Sequence, residues 1–296
     1  MTTRPDAGMI GLGIMGGAIA RNLMAGGLSV MGYDPDAAAM ARFAENGGLA
    51  ATRAGDVAAQ APIVLMSLPS IDALHGVTRD ICDSGSAGCI VVECGTLPVD
   101  DKQKAHDLLA EKSITLLDCP LSGTGAQAVH KDLVVFASGH QDAVAKCQPV
   151  FDQMSRETRY VGPFGNGMKM KFVANLLVAI HNVASAEALV LARKAGLDPQ
   201  MTYDVISSSA ATSRMFEIRG PMMVDQTYEP ATMKNDVWRK DMELIAAFAS
   251  DLDCPTPLFS ATEGLYSSAR GQGMGNLDTA AVSAVLERMA GVPGKD

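Results

Sequence analysis

The six residues Gly11-Leu12-Gly13-Ile14-Met15-Gly16 limit the possible folds of this chain more than any other feature. They follow a short apolar run, Ala7–Ile10, and open an Ala-rich stretch, Gly13–Ala25, with helical periodicity. In a G-x-G-x-x-G loop between a strand and a helix, the first glycine makes the tight turn. The second lets a ligand approach the backbone, and the third packs helix against strand. The helix N-terminus then turns free N–H groups and a positive dipole end toward phosphate. In a chain with 29 glycines such a loop could be a simple turn, so its context carries the argument. A second apolar run, Leu28–Tyr33, ends in Asp34, about 20 residues on, where the ribose-binding acid of a dinucleotide fold belongs.

Asp34 also bears on which dinucleotide is bound. A carboxylate there accepts from ribose hydroxyls and repels a 2′-phosphate, whereas NADP folds usually place an arginine just after this strand. Here the strand is followed by Pro35-Asp36-Ala37, and the next arginine is Arg42. NAD is therefore expected in preference to NADP. The formal charge of −9 argues against nucleic acid or an anionic membrane as the main partner, while leaving a small anionic substrate open. The six cysteines form no C-x-x-C pair and match no zinc spacing, and Cys89 and Cys119 fall within apolar runs. A reducing cytoplasm and no metal are expected. Met1–Asp6 lacks the apolar core of a signal peptide. No stretch is expected to reach the length of a membrane span, because the most apolar candidate, 172–191, is interrupted by Asn, His, Ser and Glu.

Six apolar runs read as buried strands: Ala7–Ile10, Leu28–Tyr33, Ile63–Leu68, Ile90–Glu93, Ile114–Asp118 and Leu133–Ala137. Gly13–Ala25, Pro35–Asn46 and Val99–Glu111 read as helices between them. Continuous apolar strands separated by helices predict a parallel sheet with both faces covered. Past Tyr160 the pattern changes. Val161 to Gly167 is a turn-rich joint, and Met168–Ala195 reads as one long helix closed by Gly196, with Pro199 soon after. The expected class is α/β: a Rossmann-type dinucleotide-binding domain over 1–162, then an all-α domain over 163–296, joined by a long interdomain helix.

Four segments, in order, carry a resemblance that runs nearly end to end. They are Gly11 to Leu23 (GLGIMGGAIARNL), Asp118-Cys-Pro-Leu-Ser-Gly-Thr124, Gly165-Asn-Gly-Met-Lys-Met-Lys171 with Asn175, and Lys240-Asp241-Met242. Together they resemble the β-hydroxyacid dehydrogenases, a family that includes 3-hydroxyisobutyrate dehydrogenase, tartronate semialdehyde reductase and, more distantly, 6-phosphogluconate dehydrogenase. The chain departs from the family around the substrate loop. Thr124 stands where a D-x-P-V-S-G-G loop ends in glycine, Lys131-Asp132-Leu133 and Ser138-Gly139 replace a glycine-rich stretch, and Ala174 precedes Asn175.

The resemblance implies oxidoreduction of a small 3-hydroxy acid and its semialdehyde, with Lys171 as general acid and base. Spacing agrees: Lys171 and Asn175 share a helix face at i, i+4, whereas Lys169 pairs at that spacing with Val173. Phe172, Val173, Leu176 and Leu177 are expected to desolvate Lys171. The resemblance also implies that Asn175 positions Lys171 or the substrate oxygen, and that Ser122 and Gly123 hold the substrate carboxylate. Thr124 adds a hydroxyl contact or narrows the pocket, and Lys240 is a second cation near substrate or nicotinamide. The resemblance implies that Leu68, Pro69 and Thr96 line the cofactor together with Gly11 to Gly16 and Asp34. Alternatives are an imine reductase, a glyoxylate or succinic semialdehyde reductase, and a non-catalytic cofactor-binding homologue; Ser122, Lys171 and Asn175 together favour an enzyme. A homodimer or homotetramer is implied, with the Met-rich stretch Met215–Val224 as one possible contact. Trp238 is expected to be a packing residue.

Overall fold

The computed structural model describes residues 4–293; Met1–Thr3, part of the segment read for a leader, lie outside the described residues. The chain divides into two compact units, one ending at Lys171 and the other beginning at Phe172.

The first unit is built on a six-stranded parallel sheet. Its strands are β1 (Ala7–Ile10), β2 (Val30–Tyr33), β3 (Leu49–Ala50), β4 (Ile63–Met66), β5 (Ile90–Glu93) and β6 (Thr115–Asp118), in the order β3-β2-β1-β4-β5-β6. Side chains alternate between two cores, as a pleated strand requires. Met9, Leu65 and Val92 join one core with α1 (Ile14–Ala25) and α2 (Ala37–Glu45). Ile10, Val64 and Val91 join the other with α3 (Ala54–Gln60), α4 (Ile71–Ser84) and α5 (Val99–Ala110). Burial on both faces explains why these strands read as unbroken apolar runs.

The run ending at Ala137 does not belong to this sheet. β7 (Leu121–Ser122), β8 (Val134–Ala137) and β9 (Glu157–Tyr160) form a separate three-stranded sheet, with β8 antiparallel to β7 and parallel to β9. The chain turns at Cys119-Pro120 after β6. The following link carries only the short α6 (Gly125–Val129), too little for a parallel crossover. α7 (Gln141–Met154) then connects β8 to β9.

α8 (Asn166–Lys194) has 29 residues, and its mean hydropathy reaches 1.5. By length and composition it could cross a bilayer, which corrects the expectation that no segment reaches that length. Its polar residues are held by the protein: Asn182 Nδ2 donates to Tyr266 Oη and to the Thr279 carbonyl at 3.0 and 2.9 Å. The first turn of α8 is bound by the sheet unit, so the compact boundary falls inside the helix and past the joint at 161–167. The second unit continues through α9 (Pro199–Ser207), α10 (Arg214–Asp225), α11 (Asn235–Asp251), α12 (Pro257–Gly271) and α13 (Val282–Ala290). Trp238 packs there against Tyr266, with ring centroids 6.3 Å apart. Phe216, Arg219, Gly220 and Met223 are buried while Ile218 is 38% exposed, so the Met215–Val224 stretch divides between core and surface.

Candidate active site

Strand order reverses between β1 and β4, and a parallel sheet opens its ligand crevice at the C-terminal ends of such a pair. The glycine loop sits there. Gly11 has φ +86°, and a Cβ on it would lie 2.3 Å from the Ser67 carbonyl after β4. A Cβ on Gly16 would lie 1.8 Å from the Gly11 carbonyl, so neither position admits a side chain. A Cβ built on Gly13 would meet nothing within 4 Å beyond its chain neighbours, so this side of the backbone is open to a pyrophosphate. Among the described residues, no side chain caps α1. Asp34 closes the loop from the second strand: Oδ2 accepts from Leu12 N–H at 2.6 Å and Oδ1 from Asp36 N–H at 2.8 Å. Each oxygen keeps a further lone pair for a ribose hydroxyl. Buried Leu68, exposed Pro69 and half-buried Thr96 follow β4 and β5 at the same end of the sheet. These residues fit a dinucleotide. Arg42, with Arg21, lines a cavity of about 410 Å³ beside Gly13 and Ile14.

The substrate loop lies against this crevice. Ile14, 85% exposed, would be 2.5 Å from a Cβ placed on Gly125, just past Thr124. Ser122 ends β7, Gly123 follows it, and both are half-buried. Lys171 is buried, and its Nζ donates to the Leu121 carbonyl at 2.7 Å, one residue before Ser122. Thr124 has a helical role: its hydroxyl accepts from Gln127 N–H at 3.4 Å while its own N–H donates to Gln127 Oε1 at 3.0 Å. That is the capping box of α6. Val173 and Leu177 are exposed and cannot desolvate Lys171, contrary to expectation. At two and six positions beyond Lys171 they point to the opposite side of the helix. Phe172 is buried as expected.

Within the second unit, Asn175 Nδ2 donates to Asp241 Oδ2 at 3.0 Å, and both residues are buried. Lys240 Nζ lies 3.9 Å from Asp241 Oδ1. Asp241 is therefore the residue that links Asn175 to Lys240, a role the sequence reading left unassigned. The adjacency of Lys240 and Asp241 on α11, with Asp241 one turn before apolar Ile245, was the available signal.

Comparison with known proteins gives the family. Residues 6–162 match the family described as the NAD binding domain of 6-phosphogluconate dehydrogenase, and residues 165–286 match that described as the NAD-binding of NADP-dependent 3-hydroxyisobutyrate dehydrogenase. The chain belongs to the β-hydroxyacid dehydrogenase family. It is an NAD-binding oxidoreductase of hydroxy acids. L-Threonate dehydrogenase of Escherichia coli (strain K12) is 32% identical over 293 residues, covering 97% of this chain and 96% of that protein. The crystal structure of a 3-hydroxyisobutyrate dehydrogenase from Salmonella typhimurium is 30% identical, with TM-score 0.82 over 94% of this chain and 99% of that one. The Mycobacterium tuberculosis 3-hydroxyisobutyrate dehydrogenase, solved with L-serine, is 25% identical, with TM-score 0.88 over 96% of this chain and 99% of that one.

Three buried polar residues of the dehydrogenase escaped the sequence reading. Lys102, Glu93 and Ser138 are each 0% exposed, beneath the crevice. A charged residue closing an apolar strand, as Glu93 closes β5, is the pattern that marks such a site.

Proposed function

We propose that the dehydrogenase interconverts a hydroxy acid of three or four carbons with its carbonyl form, using NAD, with Lys171 transferring the hydroxyl proton. The observation that carries this reading is the Lys171 Nζ to Leu121 carbonyl bond of 2.7 Å, which fixes the amine beside Ser122 at the substrate loop. NAD supplies the hydride acceptor at its nicotinamide C4. Ser122 and the Gly123 backbone hold the substrate carboxylate. With one N–H given to Leu121, the amine form of Lys171 keeps a lone pair for the substrate hydroxyl proton, and in reduction the ammonium form returns it. Lys240 adds positive charge for the substrate anion, held by Asp241 together with Asn175.

A threonate-type acid heads the substrate list, because L-threonate dehydrogenases are among the relatives matched along nearly the whole chain. The test is NADH and NADPH formation over L-threonate, glycerate, 3-hydroxyisobutyrate and 3-hydroxybutyrate, with a cyclic imine as control. Turnover of the imine alone would overturn the reading. Lys171→Ala should lower kcat by about a thousandfold while leaving the NADH dissociation constant within roughly threefold. Burial pushes the thiols of Cys89 and Cys147 up to about 11 and about 12, so both stay protonated and unreactive at neutral pH. A cytoplasmic location is proposed on the cysteine spacing alone.

A further inference from the structure

Under the crevice lies a chain of buried polar groups, one of which, Asp118, opens the substrate loop. Lys102, on α5, is completely buried, with Nζ 2.6 Å from Glu93 Oε2 and 2.7 Å from Asp118 Oδ1. The two carboxylates end adjacent strands β5 and β6, where Glu93 and Asp118 are paired in register. From there the chain runs two ways. Glu93 Oε1 accepts from Gly95 N–H at 2.8 Å, one residue before Thr96 at the cofactor crevice. Asp118 Oδ2 accepts from Met168 N–H at 2.8 Å, and the Ser138 hydroxyl accepts from Gly167 N–H at 2.9 Å. Ser138 donates in turn to the Asp118 carbonyl at 2.8 Å. The first turn of α8 thus finds acceptors for two of its free amides in a different element. Gly167 seats the turn closely: a Cβ there would lie 2.5 Å from the Asp118 carbonyl and 2.6 Å from that of Phe136.

A buried ion cluster is weak evidence for stability, because well-packed apolar side chains of similar volume serve as well. What apolar side chains cannot supply is direction. Carboxylate, hydroxyl and N–H fix α8 in rotation and in height, and Lys171 begins one turn after Met168. An approach angle set this way matters because misplacing a reacting group by about 1 Å can cost a hundredfold in rate.

We propose that Lys102 is a positioning residue: through Glu93 it holds the Gly95–Thr96 loop, and through Asp118 and Ser138 it holds the first turn of α8, so that the cofactor crevice and Lys171 keep one fixed relation. This rests on the reading of Lys171 as the proton-transfer residue. Burial raises the Glu93 carboxyl above its usual range while the Lys102 ammonium opposes that rise, so the cluster depends on Lys102 to keep its charge.

Two variants test it. Lys102→Met with Glu93→Gln removes the link without leaving Glu93 as an unpaired anion, and Ser138→Ala removes the hydroxyl that joins Gly167 N–H to Asp118 while leaving the Lys102 ion pairs in place. Steady-state kinetics with L-threonate, or with the panel acid of highest turnover, are read beside NADH affinity by fluorescence. Hydrogen exchange of the ligand-free protein over residues 166–172 is the readout independent of turnover. The expected result is a fall in kcat of roughly 10- to 100-fold, KM and NADH affinity within about threefold, and faster exchange at Gly167 and Met168. Where the double variant does not fold, Ser138→Ala alone decides. Wild-type kcat with wild-type exchange in a folded variant overturns the proposal. Lys171→Ala, measured in parallel, separates the two ideas: if it is inactive while the network variants work normally, only the positioning role fails. If Lys171→Ala turns over normally, the reading of Lys171 fails first.

Discussion

Asp34 spends one carboxylate oxygen on Leu12 N–H and the other on Asp36 N–H, so its charge is anchored at the edge of the glycine loop. A 2′-phosphate placed there would meet a fixed anion, although Arg42 and Arg21 line a cavity beside the same loop. Asp34→Asn removes the charge and keeps an acceptor. It should raise the ratio of kcat/KM for NADP over NAD by about tenfold, or ~1.4 kcal/mol. Adding Arg42→Ala should take back part of that gain if Arg42 receives the phosphate. A ratio unchanged in Asp34→Asn would show that the carboxylate does not set cofactor choice. Asp34 was legible because the acid follows its strand at a fixed distance from the loop. The placement of Lys171 beside the Ser122 loop was legible because the four family segments select both, and Asn175 shares the lysine's helix face. Asp241 and Lys102 were not legible as partners. Their roles depend on elements 66 and 16 residues away in the chain, and no local period marks such a pairing.

At the scale of elements, Thr124 shows how a departure from a family pattern can be structural. Its capping box starts α6, so its hydroxyl already has a partner. Glycine costs only a few tenths of a kcal/mol at an N-cap, whereas alanine costs about 1 kcal/mol. Thr124→Gly should therefore keep kcat and KM within about threefold, and Thr124→Ala should lower the melting temperature by a few degrees. A tenfold rise in KM in Thr124→Gly would instead make the hydroxyl a substrate contact. In the helical unit, Asp278 is a second hidden hub: it accepts from Arg219 Nε at 3.0 Å, Thr232 N–H at 2.8 Å and Ala280 N–H at 3.0 Å. Burial alone would raise its carboxyl, but Arg219 and these donors together hold it below the usual range. Its stabilisation is then complete above the unfolded value near 3.9 and is lost as pH falls through the lower folded value. Asp278→Asn should lose roughly 3 kcal/mol at neutral pH, and the gap to wild type in denaturant titrations should close below about pH 4. Strands buried on both faces were readable from the sequence because each is a continuous apolar run. β7 and β9 were missed for the opposite reason: β7 has two residues, and β9, Glu157–Tyr160, is polar and largely solvent-facing.

Over the whole molecule, α8 carries a feature that neither compact unit accounts for. Val173, Leu177 and Leu191 are 53%, 47% and 71% exposed, and Ala184, exposed between them, continues the same line. At 100° per residue these four positions fall within about 40° of one another, so they form a single apolar ridge along the helix. Apolar residues repeating at four and seven on a helix face are the pattern of a helix that packs against another helix. We propose a second copy of the chain as the occupant, as the family resemblance implies, since Val173, Leu177 and Leu191 are each more exposed than Ile218, the exposed apolar residue of the Met215–Val224 stretch. Light scattering should then report a mass of two or four chains. Leu177→Glu should shift that mass downward at micromolar concentration, since a charge at the centre of the ridge would be desolvated in the assembly. The same helix passes the length and hydropathy test for a membrane span, so flotation with neutral vesicles supplies the control. An assembled protein that stays with the aqueous fraction, and loses its assembly in Leu177→Glu, assigns the ridge to a protein partner. A monomer in wild type, or an assembly indifferent to Leu177→Glu, removes that assignment and leaves the ridge to another partner.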